Sequence, residues 1–349
     1  MEETTTQTKI LEPAVLAAAK ELGEPPAQLP DQPPEVRKRK TRFTTAELLS
    51  TEFPEPNWAI PGLLPEGLDI LGGRPKIGKS WLLMQIAHAV GTGGRFFDKP
   101  VKAGNVLYIA FEDSPRRIKN RALTQGIPHD ANINWRFDWG PFQGVGMGDL
   151  LIEINRQKIG TIIIDTLTRG LPGVDQTKDM VTIQRVYDQL QTIAMENGIV
   201  IITSDHCRKL GITNHDPIDD IINTTSKTAI ADAVLALYKT HSKVEANLMG
   251  RGRDFEDIDL LIKWDPTTCS WQSLGNAEEA ITSQNDAAVL QASKDLIENG
   301  ELATGKAITG MTDLPRTSVE RALKNLISKN LINRGDKVGR QQPYIVVQC

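Results

Sequence analysis

Between Leu68 and Trp264 the chain alternates short apolar runs with longer stretches of helical spacing. The runs are Leu68–Leu71, Asn105–Glu112, Thr161–Thr166 and Ile199–Ser204, followed by Ala233–Lys239 and Ile258–Trp264. Short runs rich in aliphatic and β-branched residues, apolar on both faces, predict strands buried in a parallel sheet. Between them, Trp81–Val90 carries no helix breaker. Ser114-Pro115 opens a second helix, with proline in the first turn where its missing N–H costs nothing. Lys178–Asn197 is an amphipathic helix stopped by Gly198. Asn132–Trp139 reads as a short strand, with Gly140, Gly144, Gly146 and Gly148 making a loop after it. The order predicts an α/β fold, a mostly parallel sheet flanked by helices, with its site at the carboxyl edge of the strands.

From about Asn285 the texture changes. Helices are expected at Ala287–Asn299 and Gly305–Thr309, and a third starts at Leu314-Pro315. Leu331–Arg334 and Tyr344–Val347 then form a strand pair around a Gly335–Pro343 tip. Three helices and a hairpin predict a C-terminal winged helix-turn-helix domain. Residues 1–45 read as a tail, with a short helix candidate at Glu12–Leu22, then prolines, then Arg37, Lys38, Arg39, Lys40 and Arg42. That basic run is either a solvated linker or a contact for nucleic acid or a partner. The expected organisation is a tail (1–45), a core (46–277) and a C-terminal domain (285–349).

Composition narrows this picture. A formal net charge of −4 does not advertise nucleic acid over the whole surface, so any basic surface is local. The locality is visible: Thr304–Cys349 holds eight Lys or Arg against three Asp or Glu. Cys207, Cys269 and Cys349 are far apart and lack metal-ligand spacing, the pattern of free thiols in a reducing compartment. No apolar run approaches the ~20 residues of a membrane span. The Ala-rich Pro13–Lys20 stretch has no basic flank before it, unlike a signal peptide. A cytoplasmic protein without a membrane partner is expected.

The most specific chemistry is Gly73-Arg74-Pro75-Lys76-Ile77-Gly78-Lys79-Ser80, which fits G-x-x-x-x-G-K-[ST], the phosphate-binding P-loop. Backbone N–H groups can surround a polyphosphate only where no Cβ blocks them, hence Gly73 and Gly78. Lys79 reaches the β and γ phosphates, and the Ser80 hydroxyl sits on Mg²⁺. The helix beginning near Trp81 turns its N-terminal dipole to the phosphates. Residues Gly73 to Trp81 are thus the expected site for ATP.

Asp165, ending an aliphatic strand, is placed to hold the magnesium water shell, or else it caps the following turn. Hydrolysis also needs a carboxylate that orients water; Glu112 is favoured, with Asp113 as its competitor. His206, at another strand end, either senses the γ phosphate or is structural. The long polar segment Cys207–Thr225 offers Arg208 and Lys209 to DNA. Arg251 and Arg253 lie between two expected strands, where they form a charged hairpin in a monomer and an arginine finger in a ring. In the last segment Arg316, Thr317, Ser318, Arg321 and Lys324 fall on the recognition helix, and Lys337 and Arg340 on the wing. Both groups suit phosphate and base contact, although a winged helix can also dock protein.

From Trp58 to Leu274 the chain resembles the RecA-fold, AAA-like ATPases of the DnaB and plasmid RepA helicase group. The blocks that carry the resemblance are Gly-Arg-Pro-Lys-Ile-Gly-Lys-Ser, Val-Leu-Tyr-Ile-Ala-Phe-Glu-Asp-Ser, Ile-Ile-Ile-Asp-Thr, Ile-Ile-Thr-Ser-Asp-His-Cys-Arg-Lys and Gly-Arg-Gly-Arg-Asp-Phe-Glu-Asp. The resemblance implies a catalytic glutamate at Glu112, a magnesium acid at Asp165 and a phosphate sensor at His206. It also implies a homo-hexameric ring, with Arg251 and Arg253 inserted in trans and Cys207–Thr225 as a central loop on single-stranded DNA. Many relatives carry His-His where this chain has Asp205-His206, no primase domain precedes the core, and the winged helix is an addition. The implied function is an ATP-driven DNA motor of a plasmid, phage or other mobile element. An ATP-switched DNA-binding regulator or loader, and a recombination ATPase that coats single strands, are the alternatives.

Overall fold

The computed structural model describes residues 42–347 except 54, 177, 208–215, 222–223, 241, 243 and 340, and leaves the side chains of 224–226 undescribed. The expected N-terminal helix, the Arg37–Lys40 run and the DNA candidates Arg208, Lys209 and Arg340 lie outside the described residues.

The elements run α1 (Thr45–Ser50), β1 (Trp58–Ile60), β2 (Leu64–Pro65), β3 (Gly67–Gly73), α2 (Lys79–Thr92), β4 (Gly94–Phe96) and β5 (Lys99–Val101). Then come β6 (Asn105–Ala110), α3 (Pro115–Thr124), β7 (Ile133–Arg136), α4 (Val145–Gln157), β8 (Ile159–Asp165), α5 (Met180–Asn197) and β9 (Val200–Ser204). The next are α6 (Pro217–Asp220), α7 (Thr224–Ile230), β10 (Ala233–Lys239), β11 (Glu245–Gly252), β12 (Ile258–Asp265) and β13 (Ser270–Asn276). Last are α8 (Ala277–Glu298), α9 (Gly305–Met311), α10 (Arg316–Ser328), β14 (Ile332–Arg334) and β15 (Tyr344–Val346).

Nine strands form one sheet in the order β13-β12-β11-β10-β3-β9-β8-β6-β7. The neighbours from β10 through β3, β9, β8 and β6 to β7 are parallel, and β11 runs antiparallel to β10. The sheet is α/β and mostly parallel, as the apolar runs require. Strand residues alternate between faces. Leu68, Ile70, Ile162, Ile164 and Ile201 share a buried cluster with Ile183, Val186, Tyr187 and Leu190 of α5. On the other side α2 buries Leu82, Leu83, Met84 and Ile86 and packs on β3, β6 and β8. Because α2 is apolar over most of its surface, it sits inside the fold with its first turn at the end of β3.

Two expectations about local structure change. Arg251 and Gly252 are the last residues of β11 rather than the tip between two strands. The glycine-rich stretch after Trp139 is not all loop, because α4 begins at Val145 and includes Gly146 and Gly148. A Cβ on Gly146 would run into the Gly140 carbonyl, so close backbone approach explains a glycine in that first turn.

The chain divides into two compact units, the second comprising Leu274 onward with Asp259–Leu261. In the second unit Val289, Ala292, Leu296, Ile308, Val319, Leu323, Leu326 and Ile332 make the core. Its elements are three helices and the antiparallel pair β14–β15, with Ile332 opposite Val346. Helix α8 begins at Ala277, ten residues ahead of the expected start, because Asn276 caps it by accepting from the N–H groups of Glu278 and Glu279. Among the described residues, no helix is long and apolar enough to cross a membrane.

Candidate nucleotide site

Strand β3 is buried along its whole length and stops at Gly73. The chain then turns through Arg74–Ile77, where Lys76 has φ 63°, and enters α2 through Gly78 at φ 110°. A left-handed φ is open to glycine at little cost, which is why the residue before Lys79 is glycine. An indole carbon of Trp271 lies 2.9 Å from the position a Gly78 Cβ would take, a second reason for glycine. The first N–H groups of α2 lack helical acceptors, so the turn is a ready anion cradle. Lys79 is buried and donates from Nζ to the carbonyls of Gly73 (2.7 Å) and Arg74 (3.3 Å). Burial lowers its pKa, while Cys207, Asp165, Asp205 and Glu112 pull the other way, so these groups surround one ammonium. Ser80 follows on the first turn, half-buried, and Trp81 beside it.

The carboxylates come from the neighbouring strand tips. Asp165 ends β8 and is 5% exposed. Its Oδ1 accepts from Ser204 Oγ (2.7 Å) and its Oδ2 from Tyr108 OH (3.1 Å), and the Asp165–Thr166 peptide bond is cis. Phe111 N–H donates to the Asp165 carbonyl (2.9 Å), which stitches the tip of β6 to that of β8. Glu112 follows, exposed, accepting from Thr166 Oγ1 (3.2 Å) with Arg169 Nε 3.6 Å away. Asp113 is instead held by Arg117 (3.1 Å) and Arg121 (2.6 Å) of α3. Of the two acids, Glu112 is the one directed toward the Asp165–Thr166 corner.

His206 leaves β9 between two bonds to the P-loop strand: Asp205 N–H donates to the Leu71 carbonyl (3.0 Å) and Cys207 N–H to that of Gly73 (3.4 Å). Lys79, Asp165, Glu112 and His206 therefore share the carboxyl edge of the sheet. Arg251 and Arg253 do not. Arg251 pairs with Val234 near the start of β10, so it lies toward the opposite edge. Arg251 Nε is 3.3 Å from Asp257, and Arg253 holds Asp232 (3.2 Å) and the Ala229 carbonyl (2.8 Å).

Several residues at the site escaped the sequence reading. Trp264 and Trp271 are edge-to-face at 5.2 Å, and Trp264 meets Trp81 at 5.8 Å. Arg121 lies 5.1 Å above the Trp81 ring, and Gln85 of α2 bonds both backbone groups of Trp271. Tyr108 and Ser204 sit inside apolar runs, where nothing in the pattern marks a hydroxyl as a partner for Asp165. Helix α10 carries its expected DNA candidates outward: Arg316, Thr317, Arg321 and Lys324 are exposed, Ser318 is half-buried, and Arg316 pairs with Glu320 (2.8 Å). Lys337 is also exposed.

The cradle fits a nucleoside triphosphate: a glycine-lined turn, a helix N-terminus and a desolvated ammonium face acids at two strand tips. Ser80, on the first turn of α2, and Asp165, at the end of β8, are oxygen donors of the kind Mg²⁺ takes alongside phosphate. These features define a P-loop ATPase domain of the α/β class.

The comparisons with known proteins agree. The AAA domain family matches residues 32–211, just over half of the chain, and the chain belongs to that family. It is also similar to the DNA repair protein RadA of Streptococcus pneumoniae, 29% identical over 164 residues, which is 46% of this chain and 35% of that protein. RadA of Rickettsia felis is 31% identical over 170 residues (47% and 34%), and RadA of Rickettsia bellii 33% over 171 (47% and 34%). The matched part thus spans about a third of the length of these curated relatives.

Proposed function

We propose that this chain is a DNA-dependent ATPase that couples hydrolysis of ATP to movement on DNA. One observation carries the reading: Lys79, Asp165, Glu112 and His206 come from four separate segments to one sheet edge. Lys79 and the first N–H groups of α2 grip the β and γ phosphates. Ser80 and Asp165 would hold Mg²⁺, which would supply positive charge against the phosphates. Glu112 takes a proton from the attacking water, and His206 hydrogen-bonds the γ phosphate. Arg251 and Arg253 serve a neighbouring subunit of a ring, leaving Asp257 and Asp232 to do so.

DNA as partner rests on the relatives, whose names are those of DNA repair proteins, and on the exposed cationic face of α10. In this reading the second unit is a winged helix that grips duplex DNA, and the segment containing Arg208 and Lys209 tracks a single strand. The finer assignment is a replicative helicase of a plasmid, phage or other mobile element. Lys79→Ala tests the ATPase: DNA-stimulated hydrolysis should fall by at least about 100-fold, the range for removing a charge that stabilises the transition state. Unchanged hydrolysis would end the reading. A fork-unwinding assay on wild type then separates a motor from an ATP-switched loader, and electron microscopy separates rings from filaments.

A further inference from the structure

The buried polar groups behind His206 have no part in the chemistry above. Asp205 is 5% exposed in its side chain and Lys227, on α7, is 2% exposed; their charges meet at 2.7 Å. The same Asp205 Oδ2 accepts from Tyr187 OH (3.2 Å). Lys227 Nζ also reaches Gln176 Oε1 (3.4 Å) and lies 5.6 Å above the Tyr187 ring. The other oxygen, Asp205 Oδ1, accepts the backbone N–H of His206 at 2.7 Å.

A charge removed from water persists only when it is paired and its remaining lone pairs are filled. Asp205 meets both demands, one oxygen with partners from α5 and α7 and the other with the adjacent backbone. Its carboxylate is thus fixed in orientation, and one oxygen is spent on the residue that follows. His206 is thereby held at three points: the N–H groups of Asp205 and Cys207 on the end of β3, and its own N–H on Asp205 Oδ1. Its ring nitrogen Nδ1 is buried without a hydrogen-bond partner among the described residues. The main chain at this position is therefore over-determined, while Nδ1 of the ring is tied by no hydrogen bond among the described residues.

We propose that Asp205 and Lys227 are positioning residues: the buried ion pair sets the backbone of His206 so that its imidazole meets the γ phosphate. The inference rests on the ATPase reading and on His206 as the group that distinguishes ATP from ADP. Neither residue touches nucleotide. Their effect is on discrimination between a triphosphate and a diphosphate, whereas grip on the β phosphate stays with Lys79 and the P-loop.

The test is equilibrium binding of ATPγS and ADP to the full chain by calorimetry, on wild type and on Lys227→Met, Lys227→Arg, Asp205→Asn/Lys227→Met and His206→Ala. Misplacing a positioned group by about 1 Å can cost on the order of 100-fold, so Lys227→Met should lower the ATPγS-to-ADP preference at least about tenfold. ADP affinity should stay within about twofold, since the P-loop is untouched. Lys227→Arg should recover most of the preference by restoring a cation. The double variant removes both charges together and covers the case in which Lys227→Met does not fold; it should lose part of the preference while melting near wild type. Amide exchange in the wild type adds a measurement that needs no variant, with the His206 N–H expected to be protected. A wild-type preference in Lys227→Met or the double variant, or a freely exchanging His206 amide, overturns the proposal. Failure of His206→Ala to change the preference would remove the sensor instead, and absence of nucleotide binding by wild type would remove the ATPase reading.

Discussion

At the scale of single residues, Lys79 and Cys207 show how one buried corner treats two groups differently. Desolvation lowers the Lys79 pKa, and the nearby acids oppose that shift. Desolvation pushes the Cys207 thiol up to about 12, with Lys79 opposing and Asp220 and Asp205 adding to it. A thiol so placed is almost wholly protonated at pH 8, and only the thiolate reacts. Cys207 should therefore be alkylated at least about tenfold more slowly than the half-buried Cys269 at pH 8 in the native protein. Peptide mapping after timed iodoacetamide treatment measures the ratio, and equal rates would mean that the β9 tip is open to solvent. The P-loop residues were legible because their meaning is local: glycines, lysine and serine within eight positions. Trp271 was not, because the only link between it and Gly78 is the folded contact between an indole and a residue 193 positions earlier in the chain.

Elements were legible where apolar pattern alone decides them. The runs in β3, β6, β8, β9 and β10 are buried along most of their length, and such strands announce themselves. Strands β11 and β13 were missed for the opposite reason. Ser270–Asn276 is mostly polar, and Glu245–Gly252 buries only alternate residues and ends in Gly-Arg-Gly. The order of strands was not readable either, since β9 and β8 separate β3 from β6 only through crossovers. At this scale α10 carries a prediction. Thr317, Arg321 and Lys324 follow one helical face, opposite the buried Val319, Leu323 and Leu326. If that face meets phosphate, Arg321→Ala/Lys324→Ala should reduce the slope of log affinity against log salt by about 2. Fluorescence anisotropy on a short duplex from low to moderate salt measures it; an unchanged slope would assign the face to a protein partner.

For the whole molecule, the candidate site lies in the larger of the two compact units. The larger gathers Lys79, Asp165, Glu112 and His206 at one sheet edge, while Arg251 and Arg253 lie toward the other and are bound to acids of their own chain. If the two arginines serve a neighbour, as proposed, a lone subunit should hydrolyse ATP weakly and assembly should raise the rate. The fold class could be read from the order of elements, and the glycine-lined turn before α2 from its motif. What the sequence withheld was the set of long-range polar partners (Tyr108, Ser204, Tyr187, Lys227) that hold the acids in place, because a buried hydroxyl or ammonium looks like any other polar residue until its partner is known. On the proposed reading, Glu112 serves the chemistry and not the grip. Its most direct test is Glu112→Gln, with nucleotide affinity and single-turnover hydrolysis measured on the same sample. Affinity for ATP should stay within about threefold of wild type and hydrolysis should slow by about 100-fold or more, the usual contribution of a general base. Hydrolysis at the wild-type rate, or loss of binding equal to the loss of rate, would contradict it.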